Sequence, residues 1–293
     1  MSESVPLRLL TVHAHPDDES SKGAPTVAKY RAEGILSTLV CCTGGEAGDI
    51  LNPAMESPEV RDNLPEVRLA ELMKATEIIG YETVDLLGYH DSGMPDTAEN
   101  ARPDNFWNAP LDEAVERLVA IIRRDRPQVI VTYGEDQQHY AHPDHLKVHD
   151  ITVPAFERAG DPDWYPEAGD PWQPLKLYYT EWSKDRIVAM NDKFLELGLE
   201  SPFGGDDWQE RIDAMGDDVR ITTQVPIGDY YEVREKALLA HATQVDPTEK
   251  FWFGLPTEFA RDVHPYDDYV LARSLVDSRI PETDLFAGVP GRS

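Results

Sequence analysis

The stretch Leu9-Leu-Thr-Val-His-Ala-His-Pro-Asp-Asp-Glu19 decides the fold class of this chain. Its first part, Leu9–His13, is an apolar run that predicts a buried strand, and its second part gathers histidine and acidic residues around a proline. In an open parallel sheet, ligands bind outside the carboxyl ends of the strands. We therefore expect His15, Asp17 and Asp18 to lie at the ligand-binding edge of such a sheet.

Strand-like and helix-like segments alternate through the rest of the first 180 residues. Further strands are predicted at Leu39–Thr43, Val84–Leu87, Val129–Tyr133 and Leu175–Thr180. Helices are predicted between them at about Gly23–Glu33, Val67–Ile79, Leu111–Arg126 and His145–Ala159. Such alternation predicts an α/β fold with a mainly parallel sheet and helices on both faces.

The remaining residues are less regular. We expect a smaller C-terminal α/β elaboration over residues 181–293 that packs over a catalytic core of residues 1–180, within one integrated domain. Helices are predicted at Arg186–Leu199 and Tyr230–Thr243, the second with Asp229 as N-cap. The alternation in Val219–Val225 predicts a strand of a smaller sheet.

The composition excludes several functional classes. The 293 residues carry 27 basic and 55 acidic side chains, a formal charge of −28 that is spread over both halves of the chain. A uniformly acidic surface argues against nucleic acid as a partner and is compatible with a salty cytoplasm. No stretch approaches the roughly 18 apolar residues of a membrane span. Cys41 and Cys42 are adjacent, so a disulfide between them is not expected, and we predict a reducing, cytoplasmic setting.

A second histidine–acid motif follows a second strand. His142-Pro-Asp-His145 comes after Val129–Tyr133, and the carboxyl ends of parallel strands share one sheet edge. Two imidazoles and one carboxylate leave an open position on a tetrahedral metal, which is typical of catalytic zinc. We predict His15, Asp18 and His145 as the metal ligands.

The other motif residues fit the chemistry of metal-assisted hydrolysis. Asp17 is predicted to accept a proton from the attacking water, and His142 to stabilise or protonate the other end of the reaction. Asp144 is predicted to orient one of the histidines. A loop histidine often forms only structural hydrogen bonds, but two such clusters at one sheet edge favour a site. We interpret His13 as a packed side chain, and the same structural or surface role is predicted for His90, His149 and His264.

Both motifs resemble those of the LmbE-like zinc deacetylases. The resemblance rests on Ala14-His-Pro-Asp-Asp-Glu19 and His142-Pro-Asp-His145, and stretches such as Thr43-Gly-Gly-Glu46 and His241-Ala-Thr-Gln244 extend it over nearly the whole chain. It implies a Rossmann-like fold and hydrolysis of the amide that joins a cysteinyl group to glucosaminyl-inositol in mycothiol S-conjugates. It also implies Zn²⁺ as cofactor, with Fe²⁺ as an alternative, and a small-molecule substrate; the oligomeric state stays open. Asp144 matches the carboxylate that supports His142.

The resemblance also implies roles for residues outside the two motifs. Tyr140 matches a mobile tyrosine that polarises the scissile carbonyl, and Arg68 and Asp91 match residues that hold the sugar–inositol part. Lys22 matches a lysine near the cysteinyl end of the substrate, where the sister deacetylase has a small hydroxyl residue. The loop Tyr133-Gly-Glu-Asp-Gln-Gln-His139 lacks the asparagine and the paired glycines that are usual in the family, which puts the mobility of Tyr140 in doubt.

Three further residues keep two interpretations each. Glu46 is predicted either to bind substrate hydroxyls or to cap a turn. His241 and Gln244 are predicted either to lie at the mouth of the site or to pack within the C-terminal part. For the whole chain, the leading prediction is an amidase of mycothiol S-conjugates in detoxification. Its alternatives are the biosynthetic N-acetylglucosaminyl-inositol deacetylase, a relative that processes a mycothiol-bound natural product, and a non-catalytic sugar- or metal-binding protein.

Overall fold

The structure is a computed structural model that describes residues 6–135, 141–205, 207–215 and 220–292. In chain order, its strands are β1 (Arg8–His13), β2 (Leu36–Thr43), β3 (Thr83–Tyr89), β4 (Val129–Tyr133), β5 (Lys176–Glu181), β6 (Thr223–Pro226) and β7 (Tyr266–Ser274). They form one sheet in the order β3-β2-β1-β4-β5-β7-β6. The first five strands are parallel to one another, while β7 pairs antiparallel with β5, and β6 pairs antiparallel with β7. The predicted fold class is confirmed.

Eleven α-helices lie in the described part of the chain. They are α1 (Asp18–Ser21), α2 (Ala24–Ala32), α3 (Pro58–Asp62), α4 (Leu64–Ile79), α5 (Leu111–Asp125), α6 (Pro143–Arg158), α7 (Lys184–Glu196), α8 (Trp208–Ala214), α9 (Tyr231–Ala240), α10 (Lys250–Phe253) and α11 (Thr257–Val263). None of these helices has the length and apolar character that a membrane crossing needs.

The sheet separates two hydrophobic cores. Because side chains alternate along a strand, Leu9 of β1 packs on one face with side chains of α2, α4, α7 and α9, while Leu10 packs on the other with those of α5 and α6. In β4, Val131 and Ile130 divide between the two cores in the same way. Both strands are therefore buried on both faces, which explains their continuous apolar runs.

Two details of the second half differ from the sequence-based predictions. Thr223–Pro226 joins the main sheet rather than a smaller one, because it pairs with β7, a strand that was not predicted. Val219 lies outside the described residues. Asp229 is not the N-cap of α9: it lies in a 3₁₀ turn whose last residue, Tyr230, is the cap, so the helix starts at Tyr231 and ends at Ala240.

Candidate metal centre and active site

Two neighbouring strands bring the two histidine–acid motifs together. β1 and β4 are parallel, and both end at the same edge of the sheet. His15, Asp17 and Asp18 follow β1 directly, while His142 is the N-cap of α6 and His145 lies in the first turn of that helix. The carboxyl ends of β1 and β4 thus hold both motifs, as the sequence predicts.

The predicted metal ligands converge on one carboxylate oxygen. Asp18 Oδ2 lies 3.5 Å from His15 Nδ1 and 3.4 Å from His145 Nε2. All three residues are buried, and their candidate ligand atoms lie within 4.8 Å of one another. Ligand atoms about 2.0–2.1 Å from a tetrahedral metal lie roughly 3.3–3.4 Å apart, so the donor set fits a divalent cation in chemistry and in spacing.

Electrostatics around these ligands are dominated by burial and by neighbouring charges. Burial raises the pKa of Asp18, but Lys22 and His145 outweigh it and hold this pKa well below its usual value. Burial lowers the pKa of His145 despite the nearby Asp18 carboxylate. Asp18 is thus kept as an anion and His145 as a neutral imidazole, which are the forms that bind a metal.

Asp144 holds His15 from the side opposite Asp18. Its Oδ2 lies 3.2 Å from His15 Nε2 and accepts a hydrogen bond from Ser92 N at 2.9 Å. Ser92 Oγ donates to the other carboxylate oxygen of Asp144. Asp91 also approaches His15, with Oδ1 3.6 Å from Nε2. Although burial lowers the pKa of His15, the three carboxylates around it raise this pKa well above its usual value.

His142 is fixed by the backbone of its own motif. The Asp144 backbone N–H donates to His142 Nδ1 at 3.2 Å. Burial and the neighbouring His15 lower the pKa of His142 to about 4. A neutral imidazole whose Nδ1 accepts a hydrogen bond carries its proton on Nε2, so His142 is a hydrogen-bond donor through Nε2.

Asp17 is held in an unusual backbone conformation. Its φ of 115° lies in a region that side-chain-bearing residues rarely adopt. Glu19 Oε2 accepts from the Asp17 backbone N–H at 2.9 Å, and Arg68 Nη2 lies 3.3 Å from Asp17 Oδ2. Arg68 is buried and also donates to the carbonyls of Pro16 and Gly45. Burial raises the pKa of Asp17 above its usual value, even though Arg68 lowers it.

A cavity of about 400 Å³ opens onto these groups. Residues 1–180 supply most of its polar lining, which includes both candidate ligand histidines, Asp17, Asp18, Lys22, Arg68, Asp91 and His142. Residues from the C-terminal part, Leu238, Gln244, Val245 and Trp252, line the same cavity. Lys22 Nζ lies 2.5 Å from Asp18 Oδ1, which places a cation directly beside the candidate metal ligands.

The remaining predicted residues surround the cavity at different depths. His241 is fully buried behind it, with Nε2 2.7 Å from Glu19 Oε1. Gln244 donates to the Asp49 carbonyl at 3.0 Å and faces the cavity. Glu46 accepts from the Asp91 backbone N–H at 3.0 Å and lines a neighbouring cavity instead. Tyr140 lies outside the described residues.

Four residues near the site were not singled out from the sequence. Glu19 links His241 to Asp17, Ser92 holds Asp144, and Trp252 lines the cavity. Tyr133 stacks on His145 with ring centroids 4.6 Å apart. The sequence could have indicated Glu19, which lies inside the first motif, and Tyr133, which ends a predicted strand. Nothing in the sequence separates Ser92 or Trp252 from ordinary loop and helix residues.

Comparison with known proteins identifies the class first. Residues 10–156 match the family model described as "PIG-L: GlcNAc-PI de-N-acetylase", and the chain belongs to this family. Among curated proteins, it is 47% identical over 290 residues to the mycothiol S-conjugate amidase of Streptomyces coelicolor, covering 97% of each chain. It is 40% identical over 291 residues to the 1D-myo-inositol 2-acetamido-2-deoxy-alpha-D-glucopyranoside deacetylase of Streptomyces avermitilis, covering 96% of this chain and 97% of that protein. The family resemblance inferred from the motifs is confirmed.

Solved structures share the fold at low sequence identity. The N,N'-diacetylchitobiose deacetylase from Pyrococcus horikoshii aligns with a TM-score of 0.62 at 15% identity, over 90% of this chain and 83% of that one. The zinc-inhibited form of a teicoplanin deacetylase aligns with a TM-score of 0.53 at 14% identity, over 90% and 97% of the two chains. Both agree with the α/β architecture described above.

Proposed function

We propose that the chain is a metal-dependent amidase that hydrolyses mycothiol S-conjugates. The scissile bond is the amide between the cysteinyl carbonyl and the amine of glucosaminyl-inositol. Hydrolysis releases a mercapturic acid, which is an N-acetylcysteine S-conjugate, and leaves glucosaminyl-inositol. In this proposal, residues 1–180 supply the chemistry and residues 181–293 complete the substrate cavity within one integrated domain.

The position of Lys22 is the observation that favours an amidase over the sister deacetylase. Its ammonium group lies in the cavity beside Asp18. The acyl part of a mycothiol conjugate has a second, acetamide carbonyl beyond the scissile one, and a lysine can donate a hydrogen bond to it. An acetyl group has only a methyl there. Greater identity to the Streptomyces coelicolor amidase, 47% against 40% for the deacetylase, supports the same choice.

His15, Asp18 and His145 would hold the metal, for which Zn²⁺ and Fe²⁺ both suit the donor set. When bound, a divalent cation supplies Lewis-acid polarisation of the scissile carbonyl. Asp144 keeps the His15 ring in place through Nε2, as carboxylates commonly do for metal-binding histidines. Arg68 and Asp91 line the cavity and would hold the sugar–inositol part.

Asp17 and His142 would handle the proton and the developing charge. Asp17 takes a proton from the attacking water as the water oxygen bonds to the carbonyl carbon. A pKa raised by burial suits a carboxylate for this role near neutral pH. His142 donates a hydrogen bond from Nε2 to the carbonyl oxygen as negative charge develops there. The C–N bond then breaks, and the proton held by Asp17 passes to the leaving amine.

The N-acetylglucosaminyl-inositol deacetylase is the second candidate. It breaks the same type of bond in a substrate with the same sugar–inositol part, and the relative from Streptomyces avermitilis favours it. A relative that processes a mycothiol-bound natural product would use the same residues.

Parallel kinetics on two substrates test the proposal. The purified protein, with its metal content measured, is assayed on the bimane conjugate of mycothiol and on N-acetylglucosaminyl-inositol. We expect a much larger kcat/KM for the conjugate. Lys22→Ser should narrow this preference by lowering the conjugate value selectively. A wild-type preference for the acetylated sugar would reject the amidase in favour of the deacetylase.

A further inference from the structure

Part of the cavity lining is apolar, and the proposed chemistry does not use it. Leu51, Leu238, Val245 and Trp252 line it and are named here the apolar wall. Burying the many hydroxyl groups of glucosaminyl-inositol against apolar side chains, without hydrogen-bond partners, costs free energy. The candidate metal ligands, the proposed base and Lys22 belong to the polar part of the same lining. The apolar wall therefore needs a different part of the ligand to contact it.

Trp252 belongs to a packed aromatic cluster. Its ring meets Trp182 edge-on, with centroids 5.5 Å apart at 86°, and Phe251 at 4.7 Å and 85°. On Trp182, the guanidinium of Arg186 lies 3.8 Å from the ring centroid. Trp252 is only partly buried, so the surface that these neighbours leave uncovered contributes to the cavity. A large aromatic surface held in one orientation binds apolar groups at low entropic cost.

Hydrogen bonds tie the chain segments that carry Leu51 and Val245 to each other and to α4. Leu51 N donates to the Thr243 carbonyl at 2.8 Å, and Gln244 Nε2 donates to the Asp49 carbonyl at 3.0 Å. Thr243 is held in turn by Glu71 of α4, whose carboxylate accepts from its backbone N–H at 2.8 Å and from its hydroxyl at 2.7 Å. Since α4 also carries Arg68 of the polar lining, one cavity offers polar and apolar contacts to the same ligand.

We propose that the apolar wall binds the group carried on the sulfur of the substrate, and that Trp252 sets a preference for large apolar and aromatic S-substituents. This inference rests on the proposed function and names the substrate class within it. The S-substituent is the one part of a mycothiol conjugate that can be large and apolar, and it is absent from N-acetylglucosaminyl-inositol. The apolar wall would thus separate conjugates by size at a point remote from the scissile bond.

A series of S-methyl, S-butyl and S-benzyl mycothiol conjugates tests this with the metal-loaded protein. Each buried methylene is worth about fourfold in kcat/KM, so we expect a rise of more than tenfold from S-methyl to S-benzyl. Trp252→Ala should lower the S-benzyl value at least about tenfold and leave the S-methyl value within about twofold. Trp252→Phe should retain most of the S-benzyl preference. Leu51→Ser, at a side chain 63% exposed and so harmless to the core, should weaken the preference in the same direction.

Trp164→Ala is the matched control, because Trp164 is 41% exposed and does not line the cavity. It should leave the whole series unchanged. Equal loss on S-methyl and S-benzyl conjugates in Trp252→Ala would show a structural role and overturn the inference. A wild-type series that is flat across the three substituents would overturn it too, while leaving the amidase proposal intact.

Binding without turnover separates the inference from the proposed function. N-acetyl-S-benzylcysteine is titrated into the metal-loaded wild type and Trp252→Ala, with N-acetyl-S-methylcysteine as reference. We expect the wild type to bind the benzyl compound more than tenfold tighter than the methyl compound, and the variant to lose this difference. This comparison holds even if the protein prefers the acetylated sugar as substrate. Equal affinities of the wild type for both compounds would overturn the inference.

Discussion

At the scale of single residues, Asp17 combines a strained backbone with a crowded carboxylate. A side-chain-bearing residue in a sparsely populated φ/ψ region costs on the order of 1–3 kcal/mol and persists only where its neighbours hold it. Glu19 holds the Asp17 backbone, and Arg68 holds both its carboxylate and the preceding carbonyl. His241 anchors Glu19 from behind. This support points the Asp17 side chain into the cavity before any substrate arrives.

Asp17→Asn should separate catalysis from metal binding. Asparagine has the same shape and tolerates positive φ well, so the loop should keep its conformation. Without a basic carboxylate, kcat should fall at least about a hundredfold, while metal content measured by atomic spectroscopy stays unchanged. Wild-type turnover in this variant would show that another group takes the proton.

Gly45→Ala should disturb the site through Arg68. Gly45 has a φ of +69°, and an added Cβ would lie 2.2 Å from Arg68 Nη1. Since Arg68 is buried and carries several hydrogen bonds, it has little room to withdraw. Activity should drop at least about tenfold, together with a loss of unfolding free energy of about 2–3 kcal/mol.

Gly34→Ala is the control for that variant. Gly34 has a similar φ of +83° but nothing within 4 Å of the added atom. It should cost only the backbone strain, about 1–2 kcal/mol, and leave activity unchanged. Equal losses of stability in the two variants, with full activity in both, would show that a methyl group at position 45 does not displace the Arg68 guanidinium.

The residues of the two motifs can be predicted from the sequence, but the residues that surround and hold them cannot. Each of the two proline-containing motifs follows a strand, and the carboxyl ends of parallel strands share one edge of the sheet. The sequence therefore predicts that His15, Asp18 and His145 lie close together. Ser92 and Trp252 come from loops and helices whose placement depends on tertiary packing. A lone serine or tryptophan carries no pattern that predicts such a contact.

At the scale of elements, the carboxylate of Asp268 links α7 to the antiparallel part of the sheet. Ser183, the N-cap of α7, donates to Asp268 Oδ2 of β7 at 2.6 Å. Gln224 of β6 donates to the other oxygen at 2.9 Å, and His264 Nε2 lies 2.8 Å from Oδ2. One side chain thus joins a helix and two antiparallel strands.

Asp268→Asn should lower stability in a pH-dependent way. Burial raises the pKa of Asp268, but its hydrogen bonds to His264, Ser183 and Gln224 outweigh this and hold it below its usual value. A lowered folded-state pKa adds stability that is present above the unfolded pKa of about 3.9 and is lost as the pH falls through the folded value. The variant should therefore be less stable at pH 7, and its deficit should shrink below about pH 4. Urea unfolding at both pH values measures this, and a pH-independent deficit would contradict it.

Strands and helices with a regular apolar pattern can be predicted from the sequence, but the antiparallel strands β7 and β6 cannot. β1, β4 and α5 have long, regular apolar patterns that tertiary contacts only reinforce. β7 alternates less clearly because it carries buried Asp267 and Asp268, which are satisfied by side chains from other elements. The sequence shows these two acidic residues but not the side chains that pair with them. It therefore does not predict β7, and it assigns β6 to a separate sheet.

At the scale of the whole molecule, the cavity gathers more negative charge than its cations offset. Asp17, Asp18, Asp91 and Asp144 all lie at or next to the candidate metal ligands. A divalent cation would relieve repulsion among them. Because it binds only the folded chain tightly, it should also stabilise the fold by mass action.

Metal removal should therefore abolish activity and lower thermal stability together. We expect dialysis against a strong chelator to eliminate turnover and to reduce Tm by several degrees. Stoichiometric Zn²⁺ or Fe²⁺ should restore both, and Mg²⁺ should not, since it disfavours imidazole ligands. Full activity at a metal content near zero would contradict the proposed role of the His/Asp cluster.

The neighbouring positions of β1 and β4 have a consequence for how the protein is made. His13 and Tyr133 lie in contact across these strands although 120 residues separate them in the chain. A ribosome therefore finishes the first half of the candidate metal site long before the second half exists, and such distant pairings form late in folding. Of the proposed ligands, the nascent chain then holds only His15 and Asp18, and two ligands would bind a metal weakly. Metal loading should follow folding, so the cation available to the finished protein decides which metal it carries.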